Sequence, residues 1–263
     1  MPPVLQSRLP AIPWTDPRLM RRPGMVPLDM AEWLVVDEAF GGQMALRDDL
    51  VARREAEVHA LIPSAFKAAS ELYEMILARL DGLGTRVGAA EAVRPDGVAV
   101  PLDPARPLLT LGRLVQEDLC LMQPGAPFGH PDEHVLTGAI LCFPASWTLA
   151  EKRGHPLIRI HAPVPGYDGD LAPRVQRLFD AIRPERPLWR MNWHLYGSPE
   201  LFHPRREADP RPKPAGPARY MRCERQCLVR LPRTGAVVFS IHTYVVETAQ
   251  LPPEARATLS GFG

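Results

Sequence analysis

Residues 221–247 read MRCERQCLVRLPRTGAVVFSIHTYVVE, and this stretch decides the fold class. Two strand-like stretches, 221–231 with apolar residues mostly at alternate positions and 236–247 rich in β-branched and aromatic residues, flank the turn sequence Pro232-Arg233-Thr234-Gly235. Such a pattern predicts a β-hairpin. Strand residues alternate between faces. Met221, Cys223, Arg225, Cys227, Val229 and Leu231 therefore share one face, and Arg222, Glu224, Gln226, Leu228 and Arg230 the other. The first face is expected to meet the core, with Arg225 the exception on it.

Outward from the hairpin, residues 189–196 (WRMNWHLY) predict a third strand, with Arg190 and Asn192 on one face and Trp189, Met191 and Trp193 on the other. Further upstream, 111–122 (LGRLVQEDLCLM) and 135–143 (VLTGAILCF) are strand-like and are separated by the turn-forming PGAPFGHPDE. Helices are expected between the two sets, over 148–161 and 171–182. Two strands, a helical insert and three strands give an α+β fold with a PAS-like antiparallel five-stranded sheet. Met44–Leu80 carries helical periodicity interrupted at Pro63, with Leu46, Leu50, Val58 and Leu61 among charged residues. The chain thus divides into a proline-rich N-terminal extension (1–45), a helical segment packed on the core (46–84) and the PAS-like domain (85–250). Prolines also cluster at 204–217, which reads as a long loop between two strands.

Charge narrows the function. Lys plus Arg is 31 against 30 for Asp plus Glu, so the net charge is +1. No basic excess exists to displace counterions from a nucleic acid, so that class of partner is not expected. No apolar run reaches the roughly 18–20 residues of a membrane span. MPPVLQSRLPAIPW lacks a basic segment followed by an apolar one, so a cytoplasmic location is expected. The four cysteines form no CxxC pair, and reduced, buried thiols are expected. There is no Gly-rich phosphate loop and no dinucleotide fingerprint.

Five segments carry a resemblance: QEDLCLM (116–122), CFPASW (142–147), EKRGHPLIRIHAPVPGY (151–167), RMNWHLY (190–196) and ERQCLVRLPRTGAVVFSIHTYV (224–245). Together, in this order and spacing, they resemble the α subunit of haem-dependent oxidative N-demethylases. The resemblance implies haem b bound by one histidine, activation of O2, and oxidation of a small methylated amine such as dimethylamine. It also implies electrons supplied by a separate flavin and 2Fe–2S reductase.

Among eight histidines, His161 is the expected iron ligand. It follows the apolar Leu157, Ile158 and Ile160, and the resemblance puts the proximal histidine at the end of the insert. His155 is the alternative. His59 reads as a solvated helix residue, and His130 and His134 as members of a proline-rich turn. His194 and His242 alternate with apolar neighbours, and His194 is a candidate for orienting oxygen or substrate. Glu224 is a natural partner for a protonated amine. Arg190 or Arg225 would steady negative charge on oxygen, although strand parity lets at most one of Glu224 and Arg225 enter the pocket. Trp193 is a candidate for packing on the porphyrin, and Lys152 and Arg159 for meeting its propionates. A haem-based gas or redox sensor, and a haem-free binding protein, remain alternatives at this level.

Overall fold

The protein is described by a computed structural model covering residues 3–20, 23–163, 167, 170–210 and 218–259. In chain order the strands are β1 (Val26–Pro27), β2 (His59–Leu61), β3 (Arg86–Val87), β4 (Glu91–Val93), β5 (Ala99–Pro101), β6 (Asp118–Pro124), β7 (His134–Ile140), β8 (Leu188–Tyr196), β9 (Tyr220–Arg230) and β10 (Val237–Glu247). The helices are α1 (Pro17–Met20), α2 (Phe40–Arg53), α3 (Glu55–Val58), α4 (Phe66–Leu77), α5 (Pro107–Gly112), α6 (Leu149–Lys152), α7 (Leu157–His161), α8 (Leu171–Ala181) and α9 (Pro253–Leu259).

The main sheet is antiparallel with order β1-β8-β9-β10-β6-β7-β2, and β3-β4-β5 form a small separate sheet. The expected five strands are its centre; the count is seven because β1 and β2 extend the two edges. Both additions come from stretches whose sequence masks a strand. β1 contains a proline, which can sit only at an edge. β2 is three residues long, and it interrupts the predicted helix before Pro63 is reached. His59 consequently lies half-buried on a strand rather than on a solvated helix.

The hairpin forms as expected. β9 and β10 pair from Tyr220↔Glu247 to Arg230↔Val237. Gly235 takes φ +71°, a conformation that a side chain resists. Glu71 of α4 accepts from the backbone N–H of Arg233 and Thr234 at 2.7 and 2.8 Å, which ties the turn to the helical layer.

The predicted strand over 111–122 is corrected. Pro107 opens α5, which fills 107–112, and the strand starts only at Asp118. Arg47 of α2 explains the break. Its guanidinium donates to the carbonyls of Gly112 (2.8 Å), Gln116 (3.2 Å) and Glu117 (2.9 Å) and to Asp118 Oδ1 (2.7 Å). Those carbonyls are therefore spent on a side chain instead of a neighbouring strand. Asp118 also accepts from the N–H groups of Cys142 and Phe143 at 2.7 and 2.9 Å. Arg47 and Asp118 are both fully buried. His134 is likewise corrected: it opens β7 and is buried against Phe179, not held in a turn.

Two apolar layers cover the sheet. On one side Leu72 and Ile76 of α4 and Leu108 and Leu111 of α5 pack on Leu119, Leu121, Val229 and Val238. On the other, Leu149, Leu157, Phe179 and Ile182 of the insert pack on Met122, Leu136, Leu228 and Ile241. Arg230 fastens that insert by donating to the carbonyls of Phe179 and Ile182 (both 2.6 Å), which satisfies the end of α8. All four cysteines are free and buried. Burial pushes the Cys142 thiol up to about 12, so it is no nucleophile at neutral pH.

His242, buried on β10, bonds Glu117 Oε1 at 3.0 Å and Asp37 Oδ2 at 3.2 Å. Both partners are carboxylates, so both ring nitrogens donate and the ring is an imidazolium. Burial works against the charge, but the hydrogen bonds His242 donates to Asp37 and Glu117 outweigh it and raise the pKa to about 9. Burial likewise opposes charge on Asp37, and the bond with His242 prevails, bringing it to about 2. The His242 contribution to stability is fully present below the unfolded value of about 6.5 and is lost as pH rises through about 9. The Asp37 contribution is present above about 3.9 and is lost as pH falls through about 2. Unfolding free energies from urea titrations should therefore be highest between about pH 4 and 6.5 and should decline toward pH 9, by roughly 3 kcal/mol at most. His242→Gln should flatten that alkaline decline; a parental pH profile in the variant would contradict this account.

Candidate functional site

Directly opposed residues of paired strands project to the same face. In β8 and β9 the opposed pairs are Arg190↔Gln226, Asn192↔Glu224 and His194↔Arg222. One polar face therefore carries Arg190, Asn192, His194 and Tyr196 beside Arg222, Glu224 and Gln226. It is the insert side, because Leu228 two residues on joins the layer containing Leu157 and Phe179.

Glu224 is the centre of this face. Asn192 Nδ2 and Gln226 Nε2 each donate to its Oε2 at 3.1 Å, and Arg222 approaches Oε1 at 3.4 Å. Asn192 is fixed from its other end, since its Oδ1 accepts the N–H of Glu224 at 3.2 Å. Glu224 is buried, and these donors hold its carboxylate in one orientation. Arg222 also ties two loops together, donating to the carbonyls of Leu201 (3.0 Å) and Phe143 (2.5 Å). His194 is exposed at the open side of the same face.

Arg225 and Trp193 lie on the opposite face, away from the insert. Arg225 donates to the Trp33 carbonyl at 3.1 Å and sits over the Trp189 ring at 5.2 Å. Trp193 packs against Trp14 of the N-terminal arm, centroids 5.4 Å apart. The alternation of strand residues separates both from Glu224, Arg190 and His194. Arg225 and Trp193, expected to act on oxygen and to pack on a porphyrin, thus share no face with the other expected site residues.

His161 ends α7 and is half-buried. Its Nδ1 meets the Leu157 carbonyl at 2.9 Å. A carbonyl only accepts, so Nδ1 carries the proton and Nε2 keeps its lone pair. Burial lowers the proton affinity of the ring, and the charges of Lys152 and Arg190 lower it further. Arg190 is thus near enough for its charge to act on His161. Tyr167 stacks on the imidazole at 4.3 Å and 14°, and its hydroxyl has no hydrogen-bond partner among the described residues. His155 is exposed in the loop between α6 and α7.

Lys152 and Arg159 stand beside His161, but each is engaged elsewhere, donating to Glu207 Oε1 at 3.0 Å. Glu207 lies in the proline-rich loop, and sequence reasoning passed over it because turn composition dominates there. Tyr167 escaped for a similar reason, being enclosed by prolines and glycines. Asn192 and Gln226 were visible only as members of a face, and their partner became clear with the strand register.

A haem iron needs one neutral imidazole with a free nitrogen, apolar walls for the ring, and polar groups where charge develops. His161, the layer of Leu149, Leu157 and Phe179, and the Arg190–Glu224 face fit those needs. Among the described residues no three His, Cys, Asp or Glu side chains converge as a bare-metal site would require. No helix among them is long and apolar enough to cross a membrane. The family model described as haem-dependent oxidative N-demethylase, alpha subunit-like, matches residues 24–260, nearly the whole chain. The chain belongs to the haem-dependent oxidative N-demethylase, alpha subunit-like family.

Proposed function

We propose that this chain binds haem b through His161 Nε2 and oxidatively demethylates a small secondary or tertiary amine of the dimethylamine class. The observation that carries the proposal is the His161 Nδ1 bond to Leu157, which leaves Nε2 as a lone-pair donor, opposite a face that holds a fixed carboxylate. Two strands, a helical insert and three strands support the PAS-like reading of the pocket. Haem would supply iron for O2 chemistry. One oxygen atom goes to the methyl carbon, the other leaves as water with two protons from solvent, and formaldehyde and the demethylated amine are released. Two electrons come from a separate flavin and 2Fe–2S reductase, because the sequence has neither a dinucleotide fingerprint nor a cysteine set for that centre. A cytoplasmic location suits that partnership.

Within the site, Glu224 receives the alkylammonium. Oε1 keeps acceptor capacity beyond Arg222, whereas both amide donors use Oε2. A cation entering an apolar pocket without such an acceptor would lose several kcal/mol of solvation. Arg190 supplies fixed positive charge on the same face, where it steadies negative charge without reorganising. His194, at the exposed side, exchanges protons with solvent.

Glu224→Gln should keep haem and CO binding yet lose on the order of 100-fold in kcat/KM for the amine, the cost of removing one partner of a buried charge contact. Formaldehyde release from dimethylamine, with dithionite or a reductase as electron source, measures it. Parental turnover in this variant would move the amine site elsewhere.

A further inference from the structure

The helix that carries His161 is anchored from outside itself. α7 has five residues, too few to fix its own end by helical hydrogen bonds alone. Lys152, the last residue of α6, donates from Nζ to the carbonyl of Ile160, the residue before His161. A cation at a helix C-terminus satisfies a carbonyl that the helix leaves open. Lys152 is only 4% exposed, so its ammonium needs an anion close by.

Glu207 is that anion, and it arrives from the loop between β8 and β9. Its Oε1 accepts from Lys152 and from Arg159 of α7, both at 3.0 Å. Its own N–H donates to the Glu151 carboxylate at 3.1 and 3.2 Å, and Thr148 Oγ1 steadies Glu151 at 2.6 Å. The loop is tethered again at His203, whose carbonyl accepts the N–H of Ser146 at 2.9 Å. Two insert helices and a loop from the far end of the sheet therefore meet at one carboxylate.

We propose that Glu207 is a positioning residue for the iron-binding histidine, fixing the end of α7 through Lys152 and Arg159 and with it the direction of the His161 imidazole. This rests on His161 being the haem ligand. The force passes through Lys152 more than through Arg159, whose side chain is 43% exposed and can turn to water. Without the Glu207 charge, a buried ammonium is left unpaired, which is strongly unfavourable. Lys152 then leaves for solvent and releases the Ile160 carbonyl. The His161 ring stays bonded to Leu157 within a helix whose end is no longer held.

The test follows haem transfer from holoprotein to excess apomyoglobin at the Soret band, alongside the Soret position of the ferrous–CO form. Glu207→Gln should release haem roughly 10-fold faster than the parent, the scale on which groups supporting a metal ligand act. It should also show a second ferrous–CO population, and Glu207→Asp should restore most of the parental behaviour. Lys152→Met/Glu207→Gln removes both charges and should fold as the parent does by thermal melt, yet still release haem faster because Ile160 has lost its donor. Glu57→Gln, which breaks an exposed pair with Arg54, should change nothing. Parental release rates in the folded double variant overturn the proposal, while His161→Ala that keeps its haem overturns the ligand assignment beneath it. The two failures are thereby separate.

Discussion

His161→Ala should emerge from purification with less than about a tenth of the parental haem, while His155→Ala keeps a full complement. The two histidines are six positions apart, and the fold treats them differently. His155 is exposed between helices. His161 has its tautomer set by the Leu157 carbonyl at 2.9 Å and its neutral form favoured by burial and by the charges of Lys152 and Arg190. A metal must otherwise compete with a proton for the same nitrogen. On the proposed assignment no CxxCH attachment would help to hold the haem, so the iron–imidazole bond would carry a large share of retention. Pyridine haemochromogen titration of freshly purified variants measures the result. Full haem in His161→Ala, together with loss in His155→Ala, would transfer the assignment to His155.

Arg47→Met should cost about 3–5 kcal/mol, enough to remove much of the stability of a typical domain. The side chain is fully buried and serves four acceptors: three carbonyls and Asp118. Methionine fills a similar volume but strands the Asp118 charge with only the Cys142 and Phe143 N–H groups. Arg47→Lys should recover little, since an ammonium cannot span acceptors arranged for a planar fork. Asp118 and Arg47 also hold residues 142–143, which Arg222 grips from the other side at the Phe143 carbonyl. Damage here should therefore reach Glu224. Urea unfolding followed by tryptophan fluorescence gives the magnitude, and a change under about 1 kcal/mol would show that the network is dispensable.

The β8, β9 and β10 segments were legible in the sequence because their apolar residues alternate or run together and the β9–β10 hairpin turn is strongly marked. The break between α5 and β6 was not, since LGRLVQEDLCLM has continuous strand-like composition and only a distant arginine interrupts it. β1 and β2 were hidden by a proline and by shortness. For the site, alternation correctly set Glu224 and Arg225 on opposite faces. It could not tell which face meets the insert, because both faces of β9 are covered, one by α4 and α5 and the other by α6–α8. The apolar face was expected to meet the core and packs on α4 and α5, while the register of β8 on β9 puts the polar face toward the insert. Glu207 was out of reach of any local pattern, because its partners lie 48 and 55 residues away.

The N-terminal arm has a consequence for how the molecule is made. Gln6 exchanges backbone and side-chain hydrogen bonds with Val245, and its amide also reaches the Thr243 carbonyl, at separations of 237–239 residues. Gln43 bonds the same carbonyl from 200 residues away. β10 is meanwhile the strand that joins β6 to β9, so the sheet stays in two halves until the last strand has been synthesised. Such long-range closure gives high contact order and slow folding. On the ribosome, the arm would wait unpaired for most of translation, and β6–β7 until β10 emerges. That exposed interval is a hazard for aggregation, and it favours expression at low temperature or with chaperones that shield strand edges.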